Sequence, residues 1–181
     1  MAPRPIGWFS TRDATGVVDL APYSFFNAVC DRPPMIAFSS AGMKRTLRNL
    51  QQTGELVYNL ATRPLAEAMN RSSSVVEADV DKLAFAGLTA APCRLVGAPR
   101  VAESPAALEC RLLQIVPLHD LDGVSADHYL VVAQVIGVHI DRRYLTKDGR
   151  FDLLAAHPIQ RAGYLADYVD VTTMFQMSRP K

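Results

Sequence analysis

The sequence lacks the charge, the cysteine framework and the long apolar runs on which several large protein classes depend. Its 19 Lys and Arg stand against 18 Asp and Glu, a formal net charge of +1, which provides no field for gripping nucleic acid or an anionic membrane surface. Cys30, Cys93 and Cys110 make an odd count with no C-x-x-C spacing. A complete disulfide framework is thereby excluded, and a reducing compartment fits best. No segment approaches the ~20 apolar residues of a membrane-spanning helix, since the longest apolar uncharged run, Tyr129 to Ile140, is too short. The start MAPRPIGWFST carries a charge and two prolines, with no apolar block before a small-residue cleavage site. It is not a signal peptide, and the expected location is the cytoplasm.

The familiar signatures of catalysis are missing too. His119, His128, His139 and His157 form neither H-x-H nor H-x-x-x-H, and no cysteine sits near them in sequence as in a zinc knuckle. No metal site is expected, although one assembled from distant segments stays open. There is no G-x-S-x-G elbow, P-loop or G-x-G-x-x-G. Glu103 and Glu109 flank a strand start and read either as paired catalytic carboxylates or as a surface group and an outward or paired strand residue. No catalytic side chain is assigned.

What is present is a chain of 181 residues, 49% hydrophobic and 20% charged, long enough to bury roughly 70% of its unfolded surface. One domain over residues 1–181 is the expectation. Short β-type runs dominate. Ile6 to Ser10 and Val17 to Asn27 flank the turn Asp13-Ala14-Thr15-Gly16 as a candidate hairpin. Arg32-Pro33-Pro34 interrupts, because consecutive prolines cannot join a ladder or a helix interior. Further strands are read at Met35 to Ser40, Glu55 to Ala61, Ala106 to Val116, Tyr129 to Ile140 and Val171 to Met177, with Asp120 to Asp127 as a hairpin loop. Met43, Leu47 and Leu50 recur at helical period and Gly54 follows as a stop. Two more short helices are expected, one from Pro64 through Met69 and one from Asp79 to Ala86, ended by Gly87. About seven strands joined in sequence by turns favour antiparallel closure, so the expected fold is mainly β with inserted helices (α+β), a barrel decorated by helices.

Three features carry candidate chemistry, each with two readings. Ser39 to Thr46, SSAGMKRT, ends a strand in two serines and opens a helix with Lys44 and Thr46. Unpaired N–H groups and partial positive charge at a helix start make a phosphate cradle, while the same hydroxyls also suit a plain N-cap. The first fifty residues lean basic, with six Lys/Arg against three acids, whereas residues 101 to 150 hold five against seven. That bias is either chance or the mark of a small anion site near Lys44. Ala21 to Asn27, APYSFFN, places Tyr23 and Phe25 on one strand face and Ser24 and Phe26 on the other. This stretch either stacks a flat ring or fills a barrel core. Lys82 follows Asp79 and Asp81 and either neutralises them or reaches an anion.

Together these residues resemble the flavin reductase-like family with an FMN-binding split barrel. The matching strings run in order over nearly the whole chain: PRPIGWFST (3–11), LAPYSFFNAV (20–29), Pro33-Pro34, FSSAGMKRTLRNL (38–50), GELVYNLAT (54–62), LAEAMNRSS (65–73), KLAFAGLT (82–89) and PRVAESPAALEC (99–110). The resemblance implies an antiparallel split β-barrel that binds FMN near the interface of a homodimer. It implies that Ser39, Ser40, Lys44 and Thr46 surround the phosphate and ribityl chain, that Asp19, Ser24, Phe25 and Asn27 lie along the isoalloxazine, and that Lys82 adds a second cation. HPIQRAGYLADY (157–168) is similar to a C-terminal family motif that packs near the flavin.

The activity so implied is an FMN-dependent NAD(P)H:flavin reductase, with NADH or NADPH as co-substrate and a monooxygenase as a possible partner. A flavin accepts hydride itself, so the protein needs no nucleophile or acid–base pair. The alternatives are a non-catalytic flavin- or haem-binding sensor or electron carrier, and a flavoenzyme like pyridoxamine-phosphate oxidase. Three departures stand out. Relatives usually carry a segment upstream of PRPIGW, so an element missing there, or an earlier true start, is expected. Asp19 stands where the family often has Asn, and Arg161-Ala162-Gly163-Tyr164 lacks the usual paired glycines.

Overall fold

The computed structural model describes residues 1–180. The first half runs β1 (Arg4–Pro5), β2 (Gly7–Arg12), β3 (Val18–Tyr23), β4 (Phe26–Asp31), β5 (Pro34–Ala41), α1 (Arg45–Thr53), β6 (Glu55–Leu60), a 3-10 turn (Arg63–Leu65), α2 (Ala66–Ser72) and α3 (Lys82–Phe85). The second half holds β7 (Ala90–Ala91), β8 (Arg100–Val101), the long hairpin β9 (Ala106–His119) and β10 (Ser125–Ile140), then α4 (Leu153–Ala156), β11 (Ile159–Arg161) and β12 (Tyr168–Asp170).

Seven strands form one antiparallel sheet in the order β3-β2-β6-β9-β10-β5-β4. The two edge strands, β3 and β4, are consecutive in sequence and separated only by Ser24 and Phe25. The sheet therefore curls until its edges meet at a corner without pairing. This is the expected antiparallel, mainly β architecture, open at one seam.

Local chemistry explains the turns that curl it. The Asp13 carboxylate accepts the N–H groups of Thr15 and Val17, and Gly16 takes the positive φ that closes the β2–β3 turn. Gly54 adopts the left-handed conformation and donates its N–H to Leu50 O, ending α1 as its sequence foretold. At the β9–β10 turn the Asp120 carboxylate accepts N–H groups from Asp122 and Val124.

β2 is buried on both faces. Phe9 points into the barrel among Tyr23, Phe38, Leu47, Leu50 and Leu56. Trp8 points the other way, beneath Met69 of α2 and Leu83 of α3, and its indole N–H donates to Ser72 Oγ at 3.0 Å. Gly7 is a glycine because a Cβ there would stand 2.5 Å from the buried Phe9 ring.

Four expectations are corrected. Val17 to Asn27 is not one strand: it breaks at Ser24 and Phe25, so the alternation resets. Tyr23 enters the core, Phe26 stacks on Tyr58, and Phe25 is left 62% exposed. Pro34 does join the ladder, opposite Asp31, as the first residue of β5; at that position its missing N–H costs least. The helix expected from Asp79 starts only at Lys82, because the Asp81 carboxylate caps it by accepting the N–H groups of Leu83 and Ala84. Val171 to Met177 forms no strand. Met174, Phe175 and Met177 are exposed there with no neighbouring strand to take their backbone groups, and the C-terminal pairing is made by Tyr168–Asp170 instead.

Candidate functional site

The open seam is the floor of a cleft of about 860 Å³. The β3–β4 corner supplies Ala21 to Phe25, the end of β5 supplies Ser39, Ala41 and Gly42, and the start of α1 supplies Met43 to Thr46. Ser73 to Val76 and Lys82 close the far side. Part of the lining is apolar, with Pro22, Phe25 and Met43. Another part is basic: Lys44, Arg45, Arg48 and Lys82 line the cleft against Asp13 and Asp19.

The basic part is built around the first turn of α1. Lys44 is its N-cap residue but provides no side-chain cap, and the turn holds no acidic residue. The leading N–H groups of the helix therefore open on the cleft with no carboxylate of the helix itself to offset their partial positive charge, the nearest being Asp19 beneath Thr46. Arg45 donates one arm of its guanidinium to Val80 O at 2.9 Å, while Nη2 is buried without a partner among the described residues. The Tyr23 hydroxyl is likewise buried and unpartnered. Burial, followed among the raising effects by the Asp19 carboxylate, pushes that phenol up to about 12, although the Thr46 and Ser40 hydroxyls work the other way. Tyr23 thus keeps its proton and remains a donor.

Beneath the helix start lies a buried ionic cluster. Asp19, on β3, accepts a hydrogen bond from Thr46 Oγ1 at 2.6 Å and faces Lys82 Nζ at 3.3 Å. The two charged side chains are 2% and 12% exposed, with Asp19 the deeper. Lys82 pairs with this distant aspartate rather than with Asp79 or Asp81. In the apolar part, Arg4 lies over the Phe25 ring at 5.1 Å and donates to Ser24 O at 2.9 Å, fixing the corner.

Of the residues named from sequence, Asp19, Ser24, Phe25, Ser39, Lys44, Thr46 and Lys82 line this one cleft. Ser40 and Asn27 do not. The Ser40 side chain turns inward, donating to Gly42 O, and Asn27 is exposed on β4, its amide oxygen accepting the Ala28 N–H. Sequence reasoning missed Tyr23 as a buried donor, and also Arg45 and Arg48. The two arginines were readable from the i, i+3 spacing that puts them beside Lys44 on the opening turns of α1. The Ser73 to Val76 wall carried no comparable signal. Residues of the 157–168 string line a separate cleft with Arg63, Glu67 and Asn70.

Glu103 and Glu109 do not pair. Glu103 accepts the Thr89 N–H, whereas Glu109 is a buried strand residue bonded to three loop amides and His139. The register of β9 on β10 and the loop holding Cys93 bring Glu109, His139 and Cys93 together, with their candidate ligand atoms within 4.8 Å of one another.

The family model described as "flavin reductase like domain" matches residues 2–155. The chain belongs to this family. A protein of Halalkalibacterium halodurans is 33% identical over 98% of this chain and 86% of its own length. Among solved structures, nitrilotriacetate monooxygenase component B from Bacillus cereus superposes with a TM-score of 0.88 at 28% identity, covering 98% of this chain and 88% of that one. Flavoredoxin of Desulfovibrio vulgaris (Miyazaki F) superposes with a TM-score of 0.86 at 22% identity, covering 98% and 92%, a likeness of fold. At the level that family membership supports, the chain is a flavin oxidoreductase with a split-barrel fold. No helix among the described residues is long and apolar enough to cross a membrane.

The cleft fits a phosphorylated flavin by its donor chemistry. An uncapped helix start, Lys44 and the unpartnered Arg45 Nη2 match a phosphate, and the apolar lining matches a flat ring.

Proposed function

We propose that the cleft binds FMN and that the protein is an NAD(P)H:flavin reductase, taking hydride from NADH or NADPH. One observation carries the reading: the first turn of α1 opens uncapped into a basic cleft at the barrel seam of a flavin reductase-like chain. Bound FMN supplies the hydride acceptor. The side chains provide position and charge. Lys44 and Arg45 hold the phosphate at the helix start, and the ring lies along Ser24, Phe25 and Met43. Thr46 contributes its backbone N–H, because its hydroxyl proton is already donated to Asp19. Lys82, held back by Asp19, acts at longer range.

In this reading residues 1–181 form one FMN-binding unit, the active protein is a homodimer in the cytoplasm, and its reduced flavin or electrons pass to a monooxygenase or another acceptor. The 28% identity to a protein named as a monooxygenase component supports that choice of acceptor.

The test is anaerobic mixing of the FMN-loaded protein with NADH and with NADPH. Loss of the oxidised-flavin absorbance within turnover times is expected with at least one of them. Persistent absorbance with both would refute the reductase reading and leave a flavin-binding electron carrier or sensor. Failure to retain added FMN at all would refute the site. Lys44→Ala is expected to weaken FMN binding by about 1–3 kcal/mol, the range for a charge-assisted hydrogen bond, measured by flavin fluorescence titration.

A further inference from the structure

We propose that Cys93, Glu109 and His139 form a binding site for one divalent transition-metal ion, zinc foremost, between the 92–97 loop and the β9/β10 hairpin. None of the three lines the flavin cleft, so the inference stands apart from the proposed reductase activity.

The donor set is the first argument. A thiol sulfur, a carboxylate oxygen and an imidazole nitrogen lie mutually within 4.8 Å, and this S, O, N combination suits zinc and its neighbours while being poor for magnesium or calcium. Three protein donors leave a fourth tetrahedral position, and His139, 22% exposed beside a Glu109 that is 2% exposed, gives solvent a way in.

Preorganisation is the second. The Glu109 carboxylate accepts the Arg94 N–H at 3.0 Å on Oε1, and the Leu95 and Val96 N–H groups at 2.6 and 3.1 Å on Oε2. His139 Nε2 stands 2.6 Å from Oε1. The three amide contacts fix the carboxylate's orientation before the ion arrives, whereas the His139–Glu109 hydrogen bond joins two of the donor atoms themselves and is exchanged for bonds to the ion. Gly137 stands opposite Glu109 in the ladder, next to a bulge. A Cβ there would press on Leu95 at 3.2 Å and on the Glu109 carboxyl carbon at 3.4 Å, so the glycine keeps the space open.

Charge is the third. On binding, metal–sulfur, metal–oxygen and metal–nitrogen bonds form, the Nε2–Oε1 hydrogen bond between His139 and Glu109 breaks, the thiol proton leaves to solvent, and the neutral imidazole holds its one proton on Nδ1 in place of Nε2. A thiolate and a carboxylate then balance the dication with nothing left over. No electron transfer is involved.

The experiment is equilibrium dialysis of the chelator-treated full chain against micromolar zinc, with zinc counted by elemental analysis. A cobalt(II) difference spectrum is recorded on the same protein. The expected result is one zinc per chain and a thiolate-to-cobalt charge-transfer band. Cys93→Ser removes that band, and His139→Gln weakens zinc binding about tenfold or more. Thermal melts of both variants confirm that they remain folded, and Cys93→Ala replaces Cys93→Ser if the latter melts early. Retention of no zinc by the wild-type chain would overturn the proposal, as would a cobalt band that survives loss of the Cys93 sulfur.

Discussion

Asp19→Ala is expected to lower the unfolding free energy by about 3 kcal/mol or more, the cost of leaving one member of a buried ion pair uncompensated. Its side chain is almost wholly buried and answers both Lys82 Nζ and the Thr46 hydroxyl. Removing it strands a largely buried ammonium and an O–H in the same place. Asp19→Asn separates the two contributions: the amide oxygen still accepts from Thr46, so about half of the loss is expected to return. The same substitution removes a negative charge from beneath the helix start and frees Lys82 to face the cleft, so FMN or inorganic phosphate should bind more tightly. Urea denaturation and flavin titration on the two variants report the opposite signs. Equal stability of Asp19→Ala and the wild type would show that the cluster is solvated.

Phe9→Ala should be comparably severe, at about 3–5 kcal/mol for truncating a fully buried aromatic, or a fall in melting midpoint of about 6–20 °C. The Phe9 ring is stacked on Phe38 at 4.4 Å, meets Phe26 edge-on at 5.5 Å, and lies 6.0 Å from Tyr23. The last two residues flank Ser24 and Phe25, so the cavity opens directly under the cleft wall. Flavin affinity should therefore fall together with stability. Phe9→Leu, which keeps most of the volume, should lose far less of both; calorimetric melts with and without FMN provide the comparison.

These two residues also mark the boundary of what could be read in advance. Phe9 and Trp8 are neighbours in an apolar run, and their alternation alone says they point to opposite faces. That both faces would be buried depends on α2 and α3 covering the outer one. Asp19 was visible only as a charge where an amide is more usual. Its meaning came from Thr46 and Lys82, residues 27 and 63 positions away that the barrel brings to within hydrogen-bonding and ion-pairing distance. The Ser24–Phe25 corner shows the opposite failure. Local alternation through Tyr23 and Phe25 was sound as far as it went, but curling the sheet requires the chain to bend there, and a bend resets which side chains face inward.

The sequence by itself determined the turns at Asp13 to Gly16 and at Gly54 and the basic segment that opens α1, because each depends on residues close together in the chain, and it determined the family through the order of such short strings along the chain. Only the tertiary structure decided which groups would share a cleft, that Lys82 would be tied to Asp19, and that Cys93, Glu109 and His139 would converge. Those outcomes depend on strand register and sheet closure, where packing of the whole chain fixes distances that spacing along it does not encode.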